Sequence, residues 1–235
     1  PYFRLLKTRI MQIAVFGTGQ VGRTLASALA AAGHDVCLGS RTKDNPKAAE
    51  WVAATGGTAS QDDYAGAASR AGLVLNCTPG NVALEVMNMA GKTPMRGKIV
   101  ADLSNPLDFS HGFPPRLTVC NDDSLAEQLQ RAFPETLFVK VWNTMWCGLM
   151  VNPALLHGER HTVFCCGNDS GAKDEVRRSL LEPLGWKAED ILDLGDIKAA
   201  RGLEMYLPLW LQIYSALGHS EFNIRVVNGR EGQRA

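Results

Sequence analysis

The chain has 235 residues, 46% of them hydrophobic and 20% charged, with 24 basic side chains balanced by 24 acidic ones. That length suits one large α/β domain or a domain with a small appendage, and the apolar share excludes an intrinsically disordered chain. Zero net charge supplies no global field for nucleic acid or anionic lipid, so neither is expected as a partner.

Residues 1–9 carry basic side chains without an apolar core or a cleavage site, so they do not read as a signal peptide. Met11 is the more natural start, and residues 1–10 read as an N-terminal extension. Residues 10–16 are a β-branched, apolar run leading directly into Gly17-Thr18-Gly19-Gln20-Val21-Gly22. Residues 20–32 are rich in Ala and Leu and end at Gly33, which predicts a helix with a left-handed cap. Residues 35–39 (DVCLG) are the next strand. A GxGxxG turn between strand and helix is a dinucleotide-binding fingerprint. Gly17 makes the tight turn, Gly19 lets backbone approach a pyrophosphate, and Gly22 lets helix pack on strand. The amides of residues 18–21 would then face the diphosphate at the positive end of the helix.

About twenty residues further on, an acidic side chain would grip the bare ribose of NAD. The chain instead offers Ser40, Arg41 and Thr42, with Lys43 nearby. Hydroxyls, a planar guanidinium and an ammonium suit the 2′-phosphate of NADP, since Arg donates to phosphate in bidentate geometry.

The alternation continues with helices at 47–54, 64–71, 82–89 and 124–133, and strands at 57–59, 73–77, 98–103 and 137–141. Residues 104–115 read as a loop rich in Pro and Gly. Near-continuous apolar strands separated by helices predict an α/β fold with a doubly wound, mostly parallel sheet covered on both faces. Ligands of such sheets lie beyond the carboxyl ends of the strands. Cys77-Thr78-Pro79, Asn105 in the loop after the fifth strand, and Asn143 at the end of the sixth are therefore candidates for the ribose and nicotinamide.

After Asn143 the character changes. Residues 142–148 are aromatic, sulfur-rich and polar, followed by a strand (162–167), a helix (170–181), a strand (188–194) and a final helix (196–217) bent near Pro208. Residues 11–143 read as an NADP-binding Rossmann domain, and 144–235 as a smaller α+β lobe closing over the nicotinamide end. Arg201 and Glu204 read as an i,i+3 ion pair. Trp142 and Trp146 suit either a planar acceptor or core and dimer packing. His111, His157 and His161 read as surface or structural groups.

The six cysteines, at 37, 77, 120, 147, 165 and 166, include no CxxC pair. They read as reduced thiols, mostly in the core, and no metal set is expected. The longest apolar stretch, 203–217, is interrupted by Glu204, Pro208 and Gln212 and is too short to span a bilayer. The expectation is a soluble cytoplasmic protein without a membrane partner, with a homodimer as the default assembly.

The segments IAVFGTGQVG, SR after the second strand, VKVWNTMWCGLMVNPALL, HTVFCCGND and DLGDIKAARGLEMYLPLW together carry a family resemblance. The chain resembles the NADP oxidoreductases that depend on coenzyme F420, a deazaflavin, from Met11 almost to its end. It is also similar to the cytoplasmic reductase domain of the six-transmembrane metalloreductases. The resemblance implies hydride transfer between NADPH and a deazaflavin, flavin or similar small redox acceptor. It implies that Gly17, Thr18, Gly19, Gln20, Val21, Ser40, Arg41, Thr78 and Pro79 hold NADP, and that backbone around Trp146-Cys147 meets the nicotinamide amide. Archaeal-type members carry His-Thr-Ile-Pro where this chain has Asn143-Thr144-Met145-Trp146. A hydride moving between stacked rings needs no protein nucleophile, so no catalytic side chain is nominated. Two other readings stay open: an NADP(H)-binding redox sensor without turnover, and a β-hydroxyacid or imino-acid dehydrogenase, a class that needs a large helical second domain.

Overall fold

A computed structural model describes residues 10–229; the leader at 1–9 and the tail at 230–235 lie outside the described residues. The first half alternates strand and helix: β1 (Gln12–Phe16), α1 (Gln20–Ala31), β2 (Asp35–Ser40), α2 (Pro46–Thr55), β3 (Ser60–Asp63), α3 (Tyr64–Arg70), β4 (Leu73–Asn76), α4 (Gly80–Ala90), α5 (Lys92–Met95) and β5 (Ile99–Asp102). A short hairpin follows, β6 (Leu107–Asp108) with β7 (Arg116–Leu117), and then α6 (Leu125–Ala132), β8 (Leu137–Val141) and α7 (Cys147–Val151). The remainder is β9 (Val163–Cys166), α8 (Ser170–Val176), β10 (Ile191–Asp193), α9 (Ala200–Met205) and α10 (Leu207–Leu217).

Eight strands form one sheet in the order β10-β9-β8-β5-β4-β1-β2-β3. All neighbours pair in parallel except β8 and β9. Helices cover both faces, and along β1 alternate residues serve opposite cores: Ile13 and Val15 pack with α1 and α2, Ala14 and Phe16 with α3 and α4. The chain leaves β1 towards β2 and β3, then returns to β4 on its other side. The gap between β1 and β4 is therefore a topological switch point, where ligands of open α/β sheets bind.

Several local expectations are corrected. The strand expected at 57–59 is displaced to Ser60–Asp63, because Gly56 and Gly57 both take positive φ (66° and 60°) and prolong the turn. The loop expected at 104–115 contains the first strand of the β6–β7 hairpin. The helix expected at 170–181 is α-helical to Val176 and widens into a π-turn at Arg177–Leu181, and the strand at 188–194 shrinks to Ile191–Asp193. The final helix breaks at Tyr206 rather than bending at Pro208, since proline fits the first turn of a new helix without losing a hydrogen bond.

The segment after Asn143 does not stand off behind a linker. Its strands β9 and β10 extend the same sheet, with the end of β9 antiparallel to the end of β8, Cys165 opposite Val141 and Cys166 opposite Lys140. Among the described residues, no helix is long and apolar enough to cross a membrane.

Candidate functional site

Three helices that directly follow strands of the main sheet, α2, α3 and α8, are capped by side chains: Asn45, Asp63 and Asp169 accept bonds from first-turn amides. The helices that follow β1, β4 and β8 have no such cap. Their starts share the carboxyl edge of the sheet, and their first-turn N–H groups lack the intrahelical acceptors available further along. The 12-residue α1 also has no acidic side chain in its first turn, which leaves its positive end open to an anion.

The glycines of the first turn are explained one by one. Gly17 has φ +111°, and a β-carbon there would lie 2.9 Å from the Cys77 carbonyl oxygen across the switch point. At Gly22 a β-carbon would sit 1.9 Å from the Gly17 carbonyl oxygen, so only glycine lets α1 start this close to the turn. Gly19 is different. Its φ of −76° is open to any residue, and an added β-carbon meets no protein atom within 4 Å. Neither strain nor packing within the protein requires glycine there.

At the end of β2, the Ser40 hydroxyl donates to the Thr42 carbonyl (2.6 Å) and accepts from the Thr42 amide (3.3 Å), which shapes the turn that carries Arg41. Arg41 is exposed and, among the described residues, has no salt-bridge partner. Lys43 lies 3.7 Å from Asp62 and 3.9 Å from Asp63, so its charge is already shared with two carboxylates.

The other candidates line the same edge. Thr78 is buried and donates to Asn76 Oδ1 (2.7 Å), while Pro79 precedes α4. A β-carbon on Gly80 would fall 2.0 Å from the Asn105 carbonyl oxygen, which pins the start of α4 to the loop after β5. Asn105 and Asn143 clasp each other: Asn105 Nδ2 donates to the Asn143 carbonyl and Asn143 Nδ2 to Asn105 Oδ1, both at 2.9 Å. Asn143 Nδ2 also donates to the Leu203 carbonyl at 3.1 Å, and its Oδ1 is buried without a protein donor. Cys77 follows β4 and Cys147 opens α7. Burial, then the charges of Asp102 and Cys147, push the Cys77 thiol far above its ordinary range, so it is no nucleophile. Burial likewise raises Cys165 and Cys166 to about 12.

Trp142 has φ +60° and is 1% exposed inside the core, which withdraws it from any stacking role; Trp146 is half-buried, its ring over Gly148. His161 is structural: Nε2 bonds the Pro153 carbonyl (2.9 Å), Nδ1 faces Asn223 Nδ2 (2.8 Å), and its ring meets Trp186 edge-on.

The expected Arg201–Glu204 pair does not form. Arg201 makes a bidentate bridge to Glu127 (2.7 and 2.8 Å), and Glu204 turns inward to Lys140 (2.8 Å) and to the Leu125 and Ala126 amides. This exposes a group that sequence reasoning missed. Asn76, Asp102 and Lys140 stand in register on β4, β5 and β8, and all three are fully buried. Asn76 Nδ2 donates to Asp102 Oδ1 (2.8 Å) and Lys140 Nζ to Asp102 Oδ2 (2.9 Å). Burial lowers the Lys140 pKa, but the charges of Asp102 and Glu204 outweigh it and the net shift is upward, so the ammonium stays charged. The available signal was one polar residue near the end of each of three otherwise apolar strands.

Residues 12–106 match the family described as NADP oxidoreductase, coenzyme F420-dependent. A candidate F420-dependent NADP reductase from Arthrobacter sp. FB24 is similar over 93% of this chain and 100% of its own, with 46% identity and a TM-score of 0.86. Two more distant structures share the fold. A reductive aminase from Aspergillus terreus, in complex with NADPH and ethyl levulinate, is 17% identical with a TM-score of 0.62; the match covers 89% of this chain and 63% of the aminase. Pyrroline carboxylate reductase from Plasmodium falciparum, with NADP bound, is 16% identical with a TM-score of 0.53, over 88% of this chain and 67% of the reductase. With a near full-length relative at that identity and a family match running from β1 through β5, the chain belongs to the coenzyme F420-dependent NADP oxidoreductase family.

Proposed function

We propose that the chain binds NADP(H) across its β1–β4 switch point and passes a hydride between the nicotinamide and a flavin-like acceptor, with coenzyme F420 as the first candidate. The observation that carries this reading is Gly19, a glycine facing open space at the uncapped start of α1. In this reading the amides of Thr18, Gly19, Gln20 and Val21 hold the diphosphate, with Gly17 and Gly22 shaping the turn. Arg41 takes the 2′-phosphate, helped by the turn of Ser40 and Thr42. Lys43 contributes less, because Asp62 and Asp63 compete for it.

Cys77, Thr78 and Pro79 border the ribose side. The buried acceptor of Asn143, held in place by Asn105, is offered to the nicotinamide carboxamide, and the backbone at Cys147 closes the same side. Bound NADPH would supply the hydride, while the protein sets ring orientation and keeps water away. Residues 144–229 then act as the closing lobe over residues 11–143. The part of the chain after Asn143 adds strands to the sheet instead of a large helical array, which favours this reading over a β-hydroxyacid or imino-acid dehydrogenase. A homodimer completes the proposal, with the exposed Leu209, Tyr214 and Leu217 of α10 as its contact face.

The test is NADPH oxidation, followed by loss of reduced-nicotinamide absorbance, against F420, FMN, FAD, quinones and ferric chelates, with NADH in parallel. Turnover with F420 or a flavin and a preference for NADPH is the expected result. NADPH binding without turnover on any acceptor would overturn the reductase and favour a redox sensor.

A further inference from the structure

A continuous chain of buried polar contacts joins the cofactor rim to the C-terminal helices. Thr78, at the rim, donates to Asn76; Asn76 donates to Asp102; Lys140 bridges Asp102 and Glu204; and Glu204 belongs to α9. The Lys140 ammonium also donates to the Ser104 carbonyl, so its three protons are all engaged. Asp102 Oδ1 accepts from Asn76 and from the Ser104 hydroxyl and amide. Glu204 accepts from two backbone amides at the start of α6. One residue before Glu204, the Leu203 carbonyl receives Asn143 Nδ2, so α9 meets the rim directly as well as through this chain.

Apolar contacts through Ile197, Ala200 and Leu203 would hold this segment to the sheet without any of these charges. A buried ammonium between two carboxylates is poor economy as glue, because desolvation offsets most of its attraction. It does fix one setting of α9. Without the ammonium, Asp102 and Glu204 would be two buried like charges that had shared one cation, and the strain would fall on α9, which carries Glu204 outside the sheet. We infer that Lys140 is a positioning residue that couples the Thr78-Pro79 loop to the α9–α10 segment, so that filling the dinucleotide site tightens the C-terminal side of the rim. The inference rests on the proposed NADP(H) site.

The experiment is hydrogen exchange on the full chain with and without NADPH, in the wild type and in Lys140→Met, beside an NADPH titration by fluorescence. In the wild type, NADPH should slow exchange in residues 17–22 and, by about fivefold or more, in 200–217. In Lys140→Met the protection at 17–22 should persist, with NADPH affinity within about threefold of wild type, while that at 200–217 disappears. A merely structural lysine would loosen 200–217 equally with and without NADPH and leave the ligand-induced difference in place; that result overturns the inference. So does a wild type in which NADPH protects 17–22 alone. Absence of protection at 17–22 would remove the cofactor site, and the inference with it. Should Lys140→Met fail to fold, Glu204→Ala, which removes the α9 end of the chain of contacts together with its bonds to the two α6 amides, must show the same selective loss.

Discussion

Asp102 and Lys140 are register partners on β5 and β8, 2.9 Å apart between Oδ2 and Nζ, and Glu204 closes on the same ammonium at 2.8 Å. Glu204 also takes two amide hydrogens, so all its contacts are with donors. A glutamine cannot reproduce this, because whichever way its amide turns, its NH2 meets a donor. Glu204→Gln should therefore lower stability by about 2–3 kcal/mol, the scale of a buried polar group left unmatched. Urea denaturation followed by circular dichroism measures it.

The first turn gives a contrast between two glycines three residues apart. Gly22→Ala drives a β-carbon into the Gly17 carbonyl oxygen and should cost several kcal/mol or prevent folding, with binding lost as a consequence. Gly19→Ala meets nothing in the protein and should cost no more than the loss of a glycine N-cap, about 1 kcal/mol. Its NADPH affinity should nonetheless fall at least tenfold, roughly 1.4 kcal/mol, because the methyl occupies the space proposed for the diphosphate. A Gly19→Ala protein with wild-type affinity would take the diphosphate away from this turn.

Arg41→Ala should weaken NADPH by about 1.5–3 kcal/mol, the scale of a hydrogen bond to a charged group, and leave NADH almost unchanged. Titrations with both nucleotides decide it. Equal losses would assign Arg41 to general attraction instead of the 2′-phosphate. Lys43→Ala should have the smaller effect of the two, since Asp62 and Asp63 already engage that ammonium.

Arg201 and Glu127 set an acid limit. The Arg201 guanidinium, then the Ser124 hydroxyl, hold the Glu127 carboxyl below its ordinary 4.5, against the opposing effect of burial. A carboxylate with a lowered folded pKa contributes stability that is complete above its unfolded value and is lost as pH falls through the folded one. Stability should thus hold down to about pH 4.5 and decline below it. Arg201→Ala should lower stability at neutral pH and flatten that acid decline. Equilibrium melts between pH 3 and 7, roughly the window of carboxylate titration, would show it.

Local signals in the sequence carried the fold a long way. The strand, the GxGxxG turn and the helix after it were legible because each is set by residues within a few positions of one another. So was the placement of Thr78, Asn105 and Asn143 on one edge, which follows from parallel strands alone. What escaped was non-local. Arg201 and Glu204 sit a turn apart, the spacing of a helical ion pair, yet Arg201 reaches a carboxylate 74 residues away and Glu204 an amide 79 residues away. A neighbour-based rule cannot anticipate partners that only the sheet order brings together. The register of Asn76, Asp102 and Lys140 was hidden for the same reason, as it exists only once β4, β5 and β8 lie side by side. The displaced third strand failed more simply: two consecutive glycines lengthened a turn.

The closeness of Gly22 to the Gly17 carbonyl has a thermodynamic consequence for the ligand. A turn wedged between the Cys77 carbonyl and the first coil of α1 leaves no room for a side chain at Gly17 or Gly22, so in the proposed site its amides would be set before a nucleotide arrives. Flexible phosphate loops surrender conformational entropy when they close. In the proposed site this turn would be fixed when the chain folds, and glycine's large entropy loss would be met then, not at the moment of association.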